Sequence, residues 1–190
     1  MSKIPANRTV GRWIQGGERM MEEGKTLFNE VASGSYDASD RPFDFVTEQG
    51  ETALVCESDP GLKDKTGQAL FSLGYSVKEA ESVRDALKKM RFHVFDVIVV
   101  NADFDEGKGA RELLTALELL DVSIRRRIFV TLVGDSFRTR DSMAAFHRSV
   151  NLVVHTGDLN ELGTIVKNGV QENKAFYHTY MEALRKMGRS

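Results

Sequence analysis

The chain has one cysteine, Cys56, in 190 residues. That excludes an intrachain disulfide framework and any cysteine-cluster zinc site. Its four histidines, His93, His147, His155 and His178, fall at spacings that fit no zinc template. Apolar runs stop after a few residues, far short of a membrane span. Neither sign of charge is in excess: Lys+Arg 26 against Asp+Glu 28 leaves a net charge of −2, so no global field draws the chain to nucleic acid or anionic lipid. No glycine-rich phosphate fingerprint is present. The string from Gly17 to Thr26 ends like a P-loop, but its glycines are too far apart and no strand precedes it. No Ser–His–Asp spacing stands out either. The opening residues MSKIPANRTVGRW lack the apolar stretch of a secretory leader, and a reducing cytosol is the expected address. What is there, 41% apolar and 28% charged residues, is the composition of a globular chain, long enough for one domain with a surplus.

The surplus lies mostly in residues 1–51. Two of the three prolines, Pro5 and Pro42, fall there, together with the small, turn-forming stretch Ser33–Asp40, which reads as a linker. Before it, Val10, Ile14, Gly17, Met21, Gly24, Phe28 and Val31 recur at helical spacing, predicting a helix over about 12–32. Two glycines make that helix marginal without a partner surface. From 52 onward the pattern is regular. Strands are expected at 52–56 (TALVC), 75–80, 95–100, 128–133 (IFVTLV) and 150–154 (VNLVV), and helices at 60–73, 81–90, 109–120, 138–148 and 158–171. The β-branched run Val97–Val100 is that of a strand buried on both faces. Five strand–helix units imply an α/β fold, a doubly wound parallel sheet covered on both sides. A further helix is expected at 174–187, with Phe176, Tyr177, Tyr180, Met181 and Leu184 on one stripe.

In such sheets function gathers at the carboxyl ends of the strands. These read Glu57-Ser58-Asp59, Asn101-Ala102-Asp103, Thr131 to Asp135, and His155-Thr156, with Asp96 opening the third strand and Gly107 and Gly109 following it. In this ordered spacing, residues 52–172 resemble the response-regulator receiver (CheY-like) family. The resemblance implies a five-stranded sheet of order 2-1-3-4-5, with residues 1–51 and 173–190 as additions. It also implies an acidic pair for Mg²⁺ after the first strand, a phospho-accepting aspartate at the end of the third, a hydroxyl residue after the fourth and a lysine after the fifth. Carboxylates around one cation suit phosphoryl transfer because the metal neutralises charge on the transferred group.

The sequence departs from that pattern where the chemistry is decided. The acidic pair falls on Glu57 and Ser58, with Asp59 next. The acceptor position falls on Asn101, whose neutral amide is no nucleophile toward phosphorus. The lysine position falls on His155, followed by Thr156 where the family has proline, and the reporting aromatic falls on Leu152. Only Thr131 matches its template. The expectation is a pseudo-receiver: a non-catalytic, cytoplasmic signalling module that acts by protein–protein contact without aspartyl phosphorylation. Its alternatives are an atypical receiver using Asp103 or Asp105, and a nucleotide-like ligand at the carboxyl edge. No cofactor is expected, a weak divalent cation at Glu57 and Asp59, with Asp103 nearby, being the one exception weighed. Arg125-Arg126-Arg127 is expected to be a solvated loop, not a nucleic-acid site. The aromatic stripe from Phe176 to Leu184 serves either packing onto its own domain or an interface, for a homodimer or a partner helix.

Overall fold

A computed structural model describes residues 50–188. The helix and linker expected in 1–51 lie almost wholly outside the described residues. Five parallel strands, β1 (Thr52–Cys56), β2 (Ser76–Ala80), β3 (Val97–Asn101), β4 (Phe129–Val133) and β5 (Leu152–Val154), form one sheet of order β2-β1-β3-β4-β5. This is the order the resemblance implied. The β-branched strands explain the arrangement. Every residue of β1, β3 and β4 is buried, as a strand covered on both faces requires. β2, with Lys78 and Glu79 exposed, takes an edge.

Among the described residues six α-helices connect and cover the strands: α1 (Pro60–Ser72), α2 (Val83–Phe92), α3 (Lys108–Glu118), the short α4 (Val122–Arg125), α5 (Ser142–His147) and α6 (Leu162–Lys186). α1 and α6 pack together on one face, α2 and α3 on the other. Several starts are written in the sequence. Asp59 accepts the Leu62 N–H at 2.8 Å with Pro60 in the first turn, Ser82 accepts the Asp85 N–H, and Asp141 accepts those of Met143 and Ala144. Under α1 and α6 the core holds Val55, Leu70, Val99, Phe129, Val154, Leu162 and Val166.

Two expectations about the helices change. The helix expected at 138–148 shrinks to α5, because 138–141 runs as a strap across β5. Arg140 takes a left-handed φ of 64° and donates its N–H to the Val153 carbonyl, while the Thr139 hydroxyl accepts the His155 N–H. The helices expected at 158–171 and 174–187 are one. A 3₁₀ turn (Thr156–Glu161) leads into α6, whose 25 residues run without a break and span about 37 Å at 1.5 Å per residue. Gly169 lets α6 lie close on β4: a Cβ there would stand 2.8 Å from the Phe129 ring.

Candidate functional site at the carboxyl edge of the sheet

β1 and β3 are neighbours in register, so the residues that leave them meet across the edge. The Glu57 side chain is buried, 6% exposed, and both its carboxylate oxygens are engaged. Oε1 accepts the Asp59 N–H at 2.9 Å, and Oε2 accepts the Asn101 side-chain N–H at 2.5 Å. The Asn101 Oδ1 in turn accepts the Asp103 N–H at 2.9 Å. These two partners fix which way the amide points, since the reverse orientation would set its oxygen against a carboxylate. A buried carboxylate needs donors or a cation. Here the Asn101 amide supplies a donor.

The neighbouring loops are joined the same way. The Ser58 hydroxyl accepts the Asp105 N–H at 3.1 Å, and the Asp105 Oδ2 accepts the Val83 N–H at 3.0 Å, which places a carboxylate at the start of α2. To reach this position Asp105, Glu106 and Gly107 all adopt left-handed φ (51°, 59° and 73°). Two of the three are non-glycine residues in a sparsely populated region, which marks the loop as held by its contacts. Gly109 is part of the same construction: a Cβ there would fall 2.4 Å from that of Asp105 and 3.1 Å from the Phe104 carbonyl. The spacing of Gly109 was visible in the sequence; the loop it makes room for was not.

The other expected site residues divide. Asp59 is exposed, with Oδ1 committed to the α1 start, and Asp103 is exposed beyond the strand end. Among the described residues no group of three His, Cys, Asp or Glu side chains is placed to hold a metal ion. His155 turns back on its own chain, its Nδ1 accepting the Gly157 N–H at 2.9 Å. Thr156 is hydrogen-bonded to Asp135 and Thr139 to Asp158, in two side-chain pairs that close the far end of the edge. Leu152 is buried in β5 opposite Thr131.

Thr131 requires a correction. It does not stand at the end of β4. Asn101 pairs with Val133, whereas Thr131 pairs with Val99 two residues earlier and is fully buried, its hydroxyl without a hydrogen-bond partner among the described residues. The residue that follows β4 is Gly134, which has no hydroxyl to offer. The match drawn from the string Thr131–Asp135 was therefore out of register: the strand ends at Val133, where the sequence placed its end, and Thr131 lies two residues inside it.

Cys56, at the end of β1, is fully buried, and burial pushes its thiol well above the ordinary range, with Asp85 adding to the effect. It is a packing residue, not a nucleophile. The arginine string is also not a solvated loop throughout. Arg125 ends α4 and donates to the carbonyls of Ile128 (3.0 Å) and Ser149 (2.7 Å), while Arg126 donates to the Tyr180 hydroxyl at 2.6 Å with its guanidinium 5.1 Å from that ring. Tyr177 and Leu184 are half-buried, Tyr180 is 46% and Phe176 80% exposed, and Met181 has no described side chain. The expected stripe is thus split between contact and solvent.

No family model matches the chain, and no curated protein matches it in sequence. Solved structures do match in fold. A protein described as a response regulator from Chloroflexus aurantiacus J-10-fl superposes with a TM-score of 0.54 at 18% identity, over 65% of this chain and 99% of its own. A CheY-like response regulator receiver domain protein from Methanospirillum hungatei JF-1 gives 0.53 at 18%, over 66% and 97%. The signal receiver domain of a signal transduction histidine kinase from Syntrophus aciditrophicus gives 0.50 at 19%, over 65% and 91%. The likeness is one of fold, spread over nearly the whole of each receiver domain. None of the described helices is long and apolar enough to cross a membrane.

Proposed function

We propose that this chain is a pseudo-receiver: a non-enzymatic signalling module that keeps the receiver scaffold, works by protein–protein contact in the cytoplasm, and takes no phosphoryl group. One observation carries the reading, the hydrogen bond from the Asn101 amide to the buried Glu57 carboxylate. Phosphoryl transfer to a carboxylate needs a nucleophilic oxygen at that position and a cation beside it. The amide offers no such oxygen, and its N–H stands where a cation's positive charge would otherwise be needed. Asp103 and Asp105 are poor substitutes. Asp105 is tied to the start of α2, and Asp103 is exposed beyond the strand end, with no carboxylate contact to Glu57. Signal input then has to come from a partner or ligand that binds two conformations with different affinity. The exposed aromatics of α6, Phe176 and Tyr180, are the surface we assign to a protein partner or a second copy of the chain.

The test is incubation of the full chain with acetyl phosphate and Mg²⁺, read by intact mass. No stoichiometric adduct is expected. A phosphoryl adduct mapped to Asp103 or Asp105 would overturn the reading.

A further inference from the structure

The amino-terminal edge of the same sheet carries a cleft of about 500 Å³, and we propose that it binds a small anion bearing a planar ring, the class to which nucleotides belong. This goes beyond the pseudo-receiver reading and does not depend on it. The cleft lies below the entries of β3 and β4 and is walled by the second half of α6. Its volume is that of a small-molecule site, about 300–1,000 Å³.

Three arginines line it: Arg126, Arg127 and Arg185. The guanidinium of Arg126 is held by Tyr180, through the 2.6 Å hydrogen bond and the ring contact, so it is preorganised. Its Nε is buried and has no acceptor among the described residues. That atom is closed to water and so to a ligand in the cleft, which leaves the rest of the guanidinium, on a half-buried residue, to meet an anion. Neither Arg127 nor Arg185 has an ion-pair partner among the described residues. Four other charges line the cleft. Lys174 and Glu51 neutralise one another at 2.7 Å. Asp96 is held by the Thr52 N–H (2.8 Å) and hydroxyl (3.3 Å). Asp96 and Glu182 keep their charges, two carboxylates against three arginines. Planar guanidinium groups match phosphate and carboxylate oxygens in pairs. The half-buried Tyr177 adds an aromatic ring to the wall, while Tyr75 and Phe129, which also line it, are buried in the core.

The experiment is calorimetry and thermal shift on the full chain with AMP, GMP and 1-naphthoate as ring-bearing anions, and with adenosine and inorganic phosphate as the two halves. At least one ring-bearing anion is expected to bind saturably and raise Tm, with each half about tenfold weaker or more. The exposed pair Arg127→Glu and Arg185→Glu should weaken binding by about tenfold without lowering Tm, and Arg126→Lys should weaken it while keeping the charge. Asn101→Asp, at the other edge, should leave binding unchanged. The proposal is overturned if no ring-bearing anion binds at millimolar concentration, if binding survives both arginine reversals, or if inorganic phosphate alone binds as tightly. The acetyl phosphate test bears on none of these outcomes, so the two readings fail separately.

Discussion

At the carboxyl edge of the sheet, Asn101 bonds Glu57, Ser58 accepts the Asp105 N–H and Asp105 accepts the Val83 N–H, in direct hydrogen bonds within the chain. At the amino edge, Arg126, Arg127 and Arg185 surround a cleft with a buried N–H that nothing accepts. The two edges belong to the same five strands, so the difference is not one of scaffold. It lies in whether donors and acceptors were matched within the chain. A matched set links loops and leaves little for a ligand to add. An unmatched set leaves charge that an anion can meet.

The strongest way to break that comparison is Asn101→Asp. It replaces the donor to Glu57 by a second carboxylate and should destabilise the protein by about 3 kcal/mol at neutral pH. Mg²⁺ or acidification should recover part of the loss, since either relieves the repulsion between paired carboxyls. Urea unfolding with and without Mg²⁺ checks it, and an unchanged midpoint would mean that the amide is not holding the edge. Next is Gly109→Ala. The added Cβ would meet Asp105 at 2.4 Å, and about 2 kcal/mol of overpacking is expected, read as loss of amide-exchange protection at Val83 as well as a lower midpoint.

At the amino edge the sharper test is alkaline. Burial and the nearby Glu51 push the Tyr75 hydroxyl up to about 12. Its folded value is raised, so this group's contribution is intact below the ordinary tyrosine value near 10 and is lost as pH climbs from there toward 12. Tyr75→Phe should remove that part of the alkaline decline, in a pH series of unfolding midpoints. Thr131→Val should stabilise by about 1 kcal/mol, because it removes a buried hydroxyl without a partner. Loss of stability would instead show that the hydroxyl is used. The smallest effect is expected at the exposed pair Arg140–Glu172, where Glu172→Gln should change stability by less than about 0.5 kcal/mol.

The fold was legible because each of its parts is local. β-branched runs such as Val97–Val100 mark buried strands, and Asp59-Pro60 and Ser82 mark helix starts. Boundaries were less legible where nothing punctuates them. No proline lies between 158 and 187, so two expected helices are one. The strap at 138–141 depends on the Arg140 N–H reaching the Val153 carbonyl, a contact invisible to periodicity. In the site, the register of Asn101 was readable from Asp96 and Gly109, but that of Thr131 was not. The end of β4 at Val133 was itself legible; which of its residues stands level with Asn101 is set by strand pairing, not by composition.

By itself the sequence determined the alternation of strands and helices, and therefore a parallel sheet, through hydrophobic periodicity. It also determined that residue 101 carries an amide, a fact of covalent chemistry that no packing can alter. Only the tertiary structure decided that this amide would meet Glu57, 44 residues away, and bond to it. It alone moved Thr131 into the core and gathered arginines from α4 to α6 around one cleft. Those outcomes rest on distances between segments remote in the chain, and such distances are fixed only when the sheet is assembled.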